Sequence, residues 1–550
     1  MLAQLPPKNP LKTESPSIDL NDTECVIKAV ITHPNHPPSL YKRLKVLMST
    51  LSITLVGRGS FGDRFIEAFS NFVTVPGIHP PTSHKEFKER MSSSWPFQLP
   101  VTNIRGDQQT ITGFDGHSWK CTIMSSYSYL GMHRENKVQQ AAVDAAQSYA
   151  SGNHGPRMLH GNSVILEELQ QEIAAFCGAK AALVASSGYI ACMGALMTAI
   201  DSHDLVIADC KLHDCLKKGI LLSGAKCIQF KHNDFEDATR VAVDALWWMW
   251  PKPPKIWIIM EAVYSMDGTV GNLPAARSLC DKIGASLIVD EAHGLGVLGE
   301  TGRGLSEHFK MSSSVIDIRL GTFSKSFSSV GGFVTGTKSF IARCEMGSPG
   351  NVFTAGLSAY HAGAVLSTLR QDELRNAALV RYREVHALLL RKLNEAKFRT
   401  ISVHGNPSSP VIPLRLPLDI LRGIYFSNQL MKAGFALAFV GPPATSKNTL
   451  MFRLTAASWY SDKQVEDLVK ALVEIDSRLP SFSNEVLVTD SLTALGYVGR
   501  AIKMMGRATR VVRLLAGILL GLWALAAFGA QAGLGSIGTI VSASALFCFW

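Results

Sequence analysis

Short apolar runs separated by helix-length segments dominate the chain from about residue 162. Seven of these runs predict strands: 181–185, 205–208, 227–230, 256–260, 286–289, 316–320 and 332–335. Continuous apolar runs that alternate with helices, the first at Val164–Phe176, are typical of a mostly parallel sheet covered on both faces. The sequence therefore predicts an α/β fold. From about Pro410 it predicts a smaller α+β segment that ends in a helix, Asp462–Ser477.

These patterns divide the chain into five predicted parts. They are a leader with a helical segment (1–85), the first part of the main fold (86–160), a large domain (161–405), a small C-terminal domain (406–480) and a basic linker with an apolar tail (481–550). The leader is rich in Pro, Ser and Thr, and Met1–Asn21 is too polar for a secretory signal peptide.

The tail predicts attachment to a membrane. Leu514–Trp550 carries no charged side chain, and its two apolar segments, about 511–529 and 534–550, each approach the ~20 residues that a spanning helix needs. The basic residues just before the tail favour the cytosolic side: Arg500, Lys503, Arg507, Arg510 and Arg513. We expect a membrane hairpin in the endoplasmic reticulum, with the main fold facing the cytosol. A single core helix would be shorter than this tail. A nucleic-acid-binding helix fits poorly beside an apolar segment, so we expect no nucleic-acid partner.

Composition narrows the class of protein. The chain has 550 residues, of which 47% are hydrophobic and 18% charged, and this balance excludes a disordered chain. The net charge of +10 fits an anionic membrane surface. The 10 cysteines show neither a CxxC pair nor a zinc spacing, so the sequence predicts reduced thiols and no metal site.

Reactive residue types follow several of the predicted strands. Lys325, in the segment Gly321–Phe327, can form a Schiff base if desolvation or neighbouring cations lower the pKa of its amine. Asp290 and His293 follow another strand, where an acid can hold a proton on a pyridine nitrogen. The tetrapeptide 290–293 also resembles a helicase box, but that interpretation requires a GxxxxGK[ST] loop that the sequence lacks.

Three further segments follow strands in the same way. Ser187, Gly188 and Tyr189 open a helix, where backbone N–H groups can bind a phosphate. His213 can stack on a flat ring, and Ser265 follows a further strand. Taken singly, these residues and Lys325 are more simply explained as turn, structural or surface residues. At one edge of a parallel sheet they would together provide an amine, an acid, a ring and a phosphate site, as pyridoxal phosphate requires.

These residues lie in longer segments that follow one another in a fixed order: 121–131, 223–225, 230–234, 265–268, 290–299, 301–304, 321–332, 442–445 and Arg453. Over roughly residues 115–475 the chain thereby resembles the α-oxoamine synthases, a family of fold-type-I pyridoxal-phosphate enzymes. Within that family it is most similar to the eukaryotic serine palmitoyltransferase type. The resemblance implies a mostly parallel central sheet with a smaller α+β C-terminal domain.

The resemblance also implies roles for matching residues. Lys325 would be the Schiff-base lysine that removes the α-proton, Asp290 the pyridinium partner, His293 a neighbour of the ring hydroxyl and His213 the stacking residue. The other implied cofactor contacts are Ser187, Gly188, Tyr189, Ser265, Thr322 and Thr354. Thr354 is expected to reach the phosphate of a second subunit, since the family builds its sites at a dimer interface. The implied substrate contacts are Ser128 and Arg453.

Four positions depart from the family pattern. Ser128 stands where Asn is common, Leu166 where His is usual and Ser328 where Gly is usual. Gly441 stands where bacterial members carry an arginine for the substrate carboxylate. The choice of amino acid therefore stays open at this point.

The implied reaction is a decarboxylative condensation of an amino acid, such as serine or alanine, with acyl-CoA or an acyl-carrier protein to give a 2-amino ketone. The apolar tail favours a long acyl chain and a product of sphingoid-base or polyketide type, in sphingolipid or secondary metabolism. We expect a homodimer or a heterodimer. Two alternatives remain. An aminotransferase or lyase of fold type I would share Lys325 and Asp290, whereas a non-catalytic partner subunit would need neither.

Overall fold

The computed structural model describes residues 99–113, 116–249, 255–417, 420–441 and 449–479, which all belong to one compact unit, Met91–Ser481. The predicted leader, the basic linker and the apolar segments 511–529 and 534–550 lie outside the described residues. None of the described helices has both the length and the apolar composition to cross a bilayer.

Strands and helices alternate through most of the described chain. The strands are β1 (Val101–Thr102), β2 (Gln109–Thr112), β3 (Ser118–Ile123), β4 (Ala181–Ala185), β5 (Leu205–Asp209), β6 (Lys226–Phe230), β7 (Ile256–Glu261), β8 (Ser286–Asp290), β9 (Ile318–Thr322), β10 (Gly332–Gly336), β11 (Ser402–Val403), β12 (Val411–Pro417), β13 (Phe435–Ala436), β14 (Ala438–Val440) and β15 (Thr449–Thr455). The α-helices are α1 (Asn136–Tyr149), α2 (Val164–Phe176), α3 (Gly188–Ala199), α4 (Asp214–Ser223), α5 (Phe235–Met249), α6 (Leu273–Ile283), α7 (Leu305–His308), α8 (Lys338–Gly347), α9 (Pro349–Val352), α10 (Ala359–Arg370), α11 (Asp372–Glu395), α12 (Ile420–Lys432) and α13 (Asp462–Ser477).

A seven-stranded sheet in the order β4–β10–β9–β8–β7–β5–β6 forms the centre of the fold. β10 is antiparallel to both of its neighbours, whereas β9, β8, β7, β5 and β6 run parallel. Successive residues of β5 belong to different core clusters: Leu205 and Ile207 to one, Val206 and Ala208 to another. Side chains alternate across a strand, so both faces of the sheet are covered, and the predicted mostly parallel architecture is confirmed.

The predicted strands are all present, but most of their ends differ. Five are one residue longer than predicted, and three of these end on an acid: Asp209, Glu261 and Asp290. The apolar pattern omitted these polar ends, although the backbone ladder continues through them. The prediction 316–320 was wrong in position, since β9 spans Ile318–Thr322. A 3-10 turn at Ser313–Val315 delays its start. Helices α2 and α13 have the predicted bounds.

Two smaller sheets complete the described fold. One has the order β11–β12–β15–β14 and is antiparallel throughout; the other has the order β1–β2–β3–β13. A single hydrophobic core joins residues of the first sheet, such as Leu414 and Phe452, to Met124 and Tyr129, which follow β3. This shared core places the segment after β3 against β15, and both contribute to the candidate site.

Candidate active site

The carboxyl ends of adjacent parallel strands bring the central residues together. β7 ends at Glu261 and β8 at Asp290, and these two residues are register partners. Asp290 also pairs with Leu320 of β9, and Lys325 lies five positions further along the chain. Open α/β sheets bind their ligands at this edge.

Lys325 and Asp290 interact electrostatically across this edge. The Asp290 side chain is 5% exposed, and its carboxylate accepts a hydrogen bond of 2.9 Å from the Ala292 N–H. Burial raises the pKa of Asp290, while the Lys325 amine opposes this. Burial in turn lowers the pKa of Lys325, and Asp290 and Glu261 oppose that shift. The amine therefore loses its proton more readily than an exposed lysine, as a Schiff-base lysine requires.

A cradle that could hold a phosphate lies at the N-terminus of α3. The Ser187 hydroxyl accepts a hydrogen bond of 3.2 Å from the Ile190 N–H and caps the helix. A Cβ on Gly188 would lie 2.9 Å from Thr322, and one on Gly332 would lie 2.4 Å from the Gly188 Cα. This close approach requires glycine and leaves the Thr322 hydroxyl beside the first helical turn. Helix N-termini attract anions through their unpaired N–H groups.

His213 and Tyr189 lie next to each other beside this cradle. Their ring centroids are 6.4 Å apart in an edge arrangement. The backbone N–H of His213 donates to the Glu261 carboxylate, and His213 Nδ1 is 3.0 Å from the Cys215 sulfur. The hydrogen bond to Cys215 raises the pKa of His213 to about 9, although burial lowers it. The Tyr189 hydroxyl donates 2.6 Å to Asp214.

His293 is held by aromatic neighbours. Its Nδ1 is 2.6 Å from the Tyr129 hydroxyl, and its ring meets Tyr127 edge-on at 5.4 Å. Burial lowers the pKa of His293 well below its usual range, and the charges of Lys325 and His213 lower it further. The imidazole is therefore neutral at physiological pH, and its Nδ1 is engaged by the Tyr129 hydroxyl.

Arg453 and Lys325 both lie close to the ring of Tyr127. The Arg453 guanidinium stacks over the Tyr127 ring at 4.6 Å, and Lys325 Nζ lies 5.8 Å from the same ring. Arg453 donates a 3.4 Å hydrogen bond to the Ser265 carbonyl, but its Nε is buried with no hydrogen-bond partner. Burial lowers the pKa of Arg453 to about 10. A buried, incompletely satisfied guanidinium is a strong carboxylate ligand.

Ser128 is bonded to another position that departs from the family pattern. Its hydroxyl lies 2.6 Å from that of Ser328 and 2.8 Å from His133 Nδ1. Ser328 has a φ of +53°, which explains why glycine is usual there. The bridge ties the loop that carries Lys325 to the segment after β3. Ser128 therefore contacts this loop directly, and the substrate role expected for it stays a prediction.

Thr354 was expected to contact the cofactor phosphate of a second subunit. Within the described residues of one chain, its hydrogen bond goes to a residue outside the candidate site. Its hydroxyl donates to the Gly350 carbonyl, 2.5 Å away, and its neighbour Ala355 forms a β-bridge with Pro156. The expected contact with a second subunit stays a prediction.

The sequence did not reveal several residues of the site. Glu261 was missed because it closes an apolar run, although an acid at a strand's carboxyl end is itself a signal. Tyr127 and Tyr129 lie within the matching segment 121–131, but no chemistry in the local pattern points to them. Ser324 was also missed, and its hydroxyl is 2.7 Å from that of Thr322. Its position between Thr322 and Lys325 was the available signal.

These groups fit pyridoxal phosphate. Gly188 and Thr322 can hold the phosphate, Asp290 can hold the ring nitrogen proton, and Lys325 can bond to the aldehyde. The backbone approach at Gly188 and the depressed amine pKa of Lys325 both match what this cofactor needs.

Comparisons with known proteins agree with this chemistry. The profile of the family "Aminotransferase class I and II" matches residues 120–472. A serine palmitoyltransferase of Bacteroides ovatus is 31% identical over 377 residues, which are 68% of this chain and 92% of that protein. A putative 8-amino-7-oxononanoate synthase of Trichodesmium erythraeum is 31% identical over 361 residues, which are 65% of this chain and 89% of that protein.

A solved structure described as SPT with PLP internal aldimine is 26% identical to this chain. It superposes with a TM-score of 0.62 and covers 70% of this chain and 93% of that one. The family match, the relatives and this structural likeness all fit a pyridoxal-phosphate site at the carboxyl ends of the parallel strands. The chain belongs to the class I and II aminotransferase family and, within it, to the α-oxoamine synthases, which are pyridoxal-phosphate-dependent acyltransferases.

Proposed function

We propose that the chain condenses a small amino acid, serine or alanine or one of similar size, with a long-chain acyl thioester. Carbon dioxide is lost, and the product is a 2-amino ketone of sphingoid-base type. One observation carries the amino-acid half of this proposal. Arg453 and Lys325 approach the same Tyr127 ring, and the Arg453 Nε is unpaired. A carboxylate bound by Arg453 would hold its α-carbon beside the Lys325 amine.

Each residue has a defined task in this scheme. Bound pyridoxal phosphate supplies an electron sink for negative charge at the α-carbon. Asp290 keeps a proton on the ring nitrogen, because a buried carboxylate there is stabilised by a cationic partner. Lys325 would remove the α-proton through Nζ, and the His213 imidazole would stack on the cofactor ring. Arg453 orients the amino acid until its carboxylate departs.

The acyl half of the proposal rests on the sequence outside the described residues. Leu514–Trp550 has no charged side chain, and basic residues precede it. Such a tail would keep the enzyme at a cytosolic membrane surface, such as that of the endoplasmic reticulum. Long-chain acyl thioesters and their ketone products partition into bilayers. The product would enter sphingolipid synthesis or a secondary-metabolite pathway.

Carbon dioxide release tests the reaction type. The enzyme is incubated with carboxyl-labelled serine or alanine, with and without palmitoyl thioester, and labelled carbon dioxide is counted. We expect release only with the thioester, in a 1:1 ratio to the 2-amino ketone measured by mass spectrometry. Release without thioester would identify a lyase, amino transfer to a keto acid an aminotransferase, and absence of both reactions with no cofactor absorbance a partner subunit.

We also propose that the chain works as a dimer. Large apolar side chains are exposed around the Pro156–Ala355 bridge, at Leu159 (70% exposed) and Phe353 (79%). Val330 and Tyr360 are also exposed, and the Ser329 hydroxyl beside Val330 donates a hydrogen bond of 3.1 Å to the carbonyl of His361 in α10. Exposed apolar patches of this kind mark protein–protein interfaces. A second copy on this patch would bring its own Lys325 loop close to Thr354.

Light scattering of size-separated protein tests the dimer. We expect Phe353→Asp to shift the molar mass from dimer to monomer and to weaken cofactor binding, because Thr354 then loses the facing subunit. Trp247→Asp, at an exposed position on α5, is the matched control and should stay dimeric. A Phe353→Asp protein that keeps its wild-type mass would contradict the interface.

A further inference from the structure

Two buried thiols lie close to Asp290, the acid that is expected to bind the ring nitrogen of the cofactor. Cys192 is in the second turn of α3, and Cys215 is in the first turn of α4. Their side chains and that of Asp290 are 3%, 3% and 5% exposed. The two sulfur atoms and a carboxylate oxygen all lie within 4.8 Å of one another.

This cluster differs from the other buried cysteines. Cys280 and Cys344 are buried in apolar core clusters, and Cys344 shares its cluster with Cys192 and Cys215. Burial therefore does not distinguish the thiols. Within the residues that the structure describes, neither Cys280 nor Cys344 belongs to a group of three possible metal ligands, whereas Cys192 and Cys215 form one with Asp290. The linear spacing of Cys192 and Cys215 matches no metal motif, so the sequence pattern could not reveal them.

The geometry suits a soft divalent cation. Zinc binds thiolates at about 2.3 Å and carboxylates at about 2.0–2.2 Å, usually with four ligands. A tetrahedral site places its ligand atoms roughly 3.5–4 Å apart, so the three side chains need to close by only about 1 Å. A water molecule can supply the fourth ligand. Two sulfur ligands favour thiophilic ions over magnesium or calcium.

We propose that Cys192, Cys215 and Asp290 bind one thiophilic divalent cation, such as Zn²⁺, in the cofactor-free protein, and that this cation and pyridoxal phosphate exclude each other. Exclusion follows because both need the Asp290 carboxylate. Binding converts the two thiols to thiolates and releases their protons to solvent. Cofactor binding displaces the cation and returns protons to the two thiols, so the cofactor-loaded enzyme does not bind the metal at this site. This inference concerns cofactor loading and does not depend on which substrates the enzyme condenses.

Cadmium titration of the cofactor-free protein tests this proposal. Cd²⁺ is a thiophilic probe whose thiolate bonds absorb in the near ultraviolet. We expect Cys192→Ser and Cys215→Ser each to lower the bound cadmium by one ion per chain relative to the parent. Cys280→Ser and Cys344→Ser are the matched controls and should leave the stoichiometry unchanged.

Competition with the cofactor provides the second readout and needs no variant. Saturating Cd²⁺ should weaken pyridoxal-phosphate binding roughly tenfold or more, measured by the visible absorbance of the loaded enzyme. Protein loaded before the titration should bind one cadmium fewer. The proposal is overturned if loaded and cofactor-free proteins bind cadmium equally, or if the double variant Cys192→Ser/Cys215→Ser keeps the full stoichiometry. Measuring cofactor absorbance in each variant separates a lost metal site from a protein that fails to fold.

Discussion

The two sides of the Lys325 amine are built in different ways. The cofactor side consists of residues at strand ends, Asp290, Glu261 and Thr322, and at two helix N-termini, Gly188 and His213. The substrate side consists of Arg453 on β15, Tyr127 after β3 and the Ser128–Ser328 bridge. Sheet order alone assembles the first side, whereas the second requires the small sheets to pack on the large domain. Substitutions on the two sides should therefore separate cofactor binding from substrate binding.

The largest effect is expected on the amine itself. Lys325→Ala should remove the visible absorbance of the bound cofactor and lower turnover roughly a thousandfold or more, because the covalent link and the base are lost together. Absorbance spectra and product formation measure the two losses. Lys338→Ala, at an exposed position that begins α8, is the control and should behave as the parent. An unchanged spectrum in Lys325→Ala would refute the assignment.

The next effect distinguishes the substrate side from the cofactor side. Arg453→Gln should cost about 2–3 kcal/mol of amino-acid binding, which raises the KM for the amino acid roughly 30- to 150-fold. The absorbance spectrum of the bound cofactor should stay that of the parent. Steady-state kinetics with varied amino acid measure it. Arg381→Gln, which breaks an ion pair with Asp462 far from the amine, should leave the KM unchanged. A loss of cofactor absorbance in Arg453→Gln would show that the two sides are not separable.

His133, which contacts Ser128 on the substrate side, should make the free energy of unfolding depend on pH. Burial lowers the pKa of this substrate-side residue from 6.5 to about 4, so the folded protein binds fewer protons than the unfolded chain between these values. The free energy of unfolding should therefore fall as the pH drops from 6.5 to 4. Urea unfolding at pH 7 and pH 4.5 measures this loss, which His133→Asn should reduce. His160→Asn, at an exposed position, should leave it as in the parent. If His133→Asn loses as much free energy of unfolding between pH 7 and pH 4.5 as the parent, another group causes the acid sensitivity.

The smallest effects concern the Ser128–Ser328 bridge. Ser128→Ala breaks the hydrogen bond and should lower the free energy of unfolding by about 1 kcal/mol. Ser328→Gly also breaks it, but it relieves a left-handed backbone conformation that costs a side chain about 1 kcal/mol, so its net change should be close to zero. Urea unfolding compares the two variants. Equal losses in both would show that the positive φ of Ser328 carries no strain.

The sequence predicted most of the cofactor side because strand ends can be read from apolar periodicity. Lys325, Asp290 and His213 each follow a run whose existence the pattern indicated, and the parallel sheet then fixed their common edge. It predicted the substrate side poorly. Tyr127 precedes β15 by more than three hundred residues, and only tertiary packing places its ring under Arg453. The thiol cluster was missed for the same reason, since Cys192 and Cys215 meet between two helices.

The assigned active site requires a covalent bond between Lys325 and the cofactor. Borohydride reduction of the loaded enzyme, followed by digestion and peptide mass spectrometry, locates that bond directly. We predict one pyridoxyl group per chain, on the peptide that contains Lys325. A pyridoxyl group on another lysine, such as the partly exposed Lys211, or on no single residue, would contradict the site.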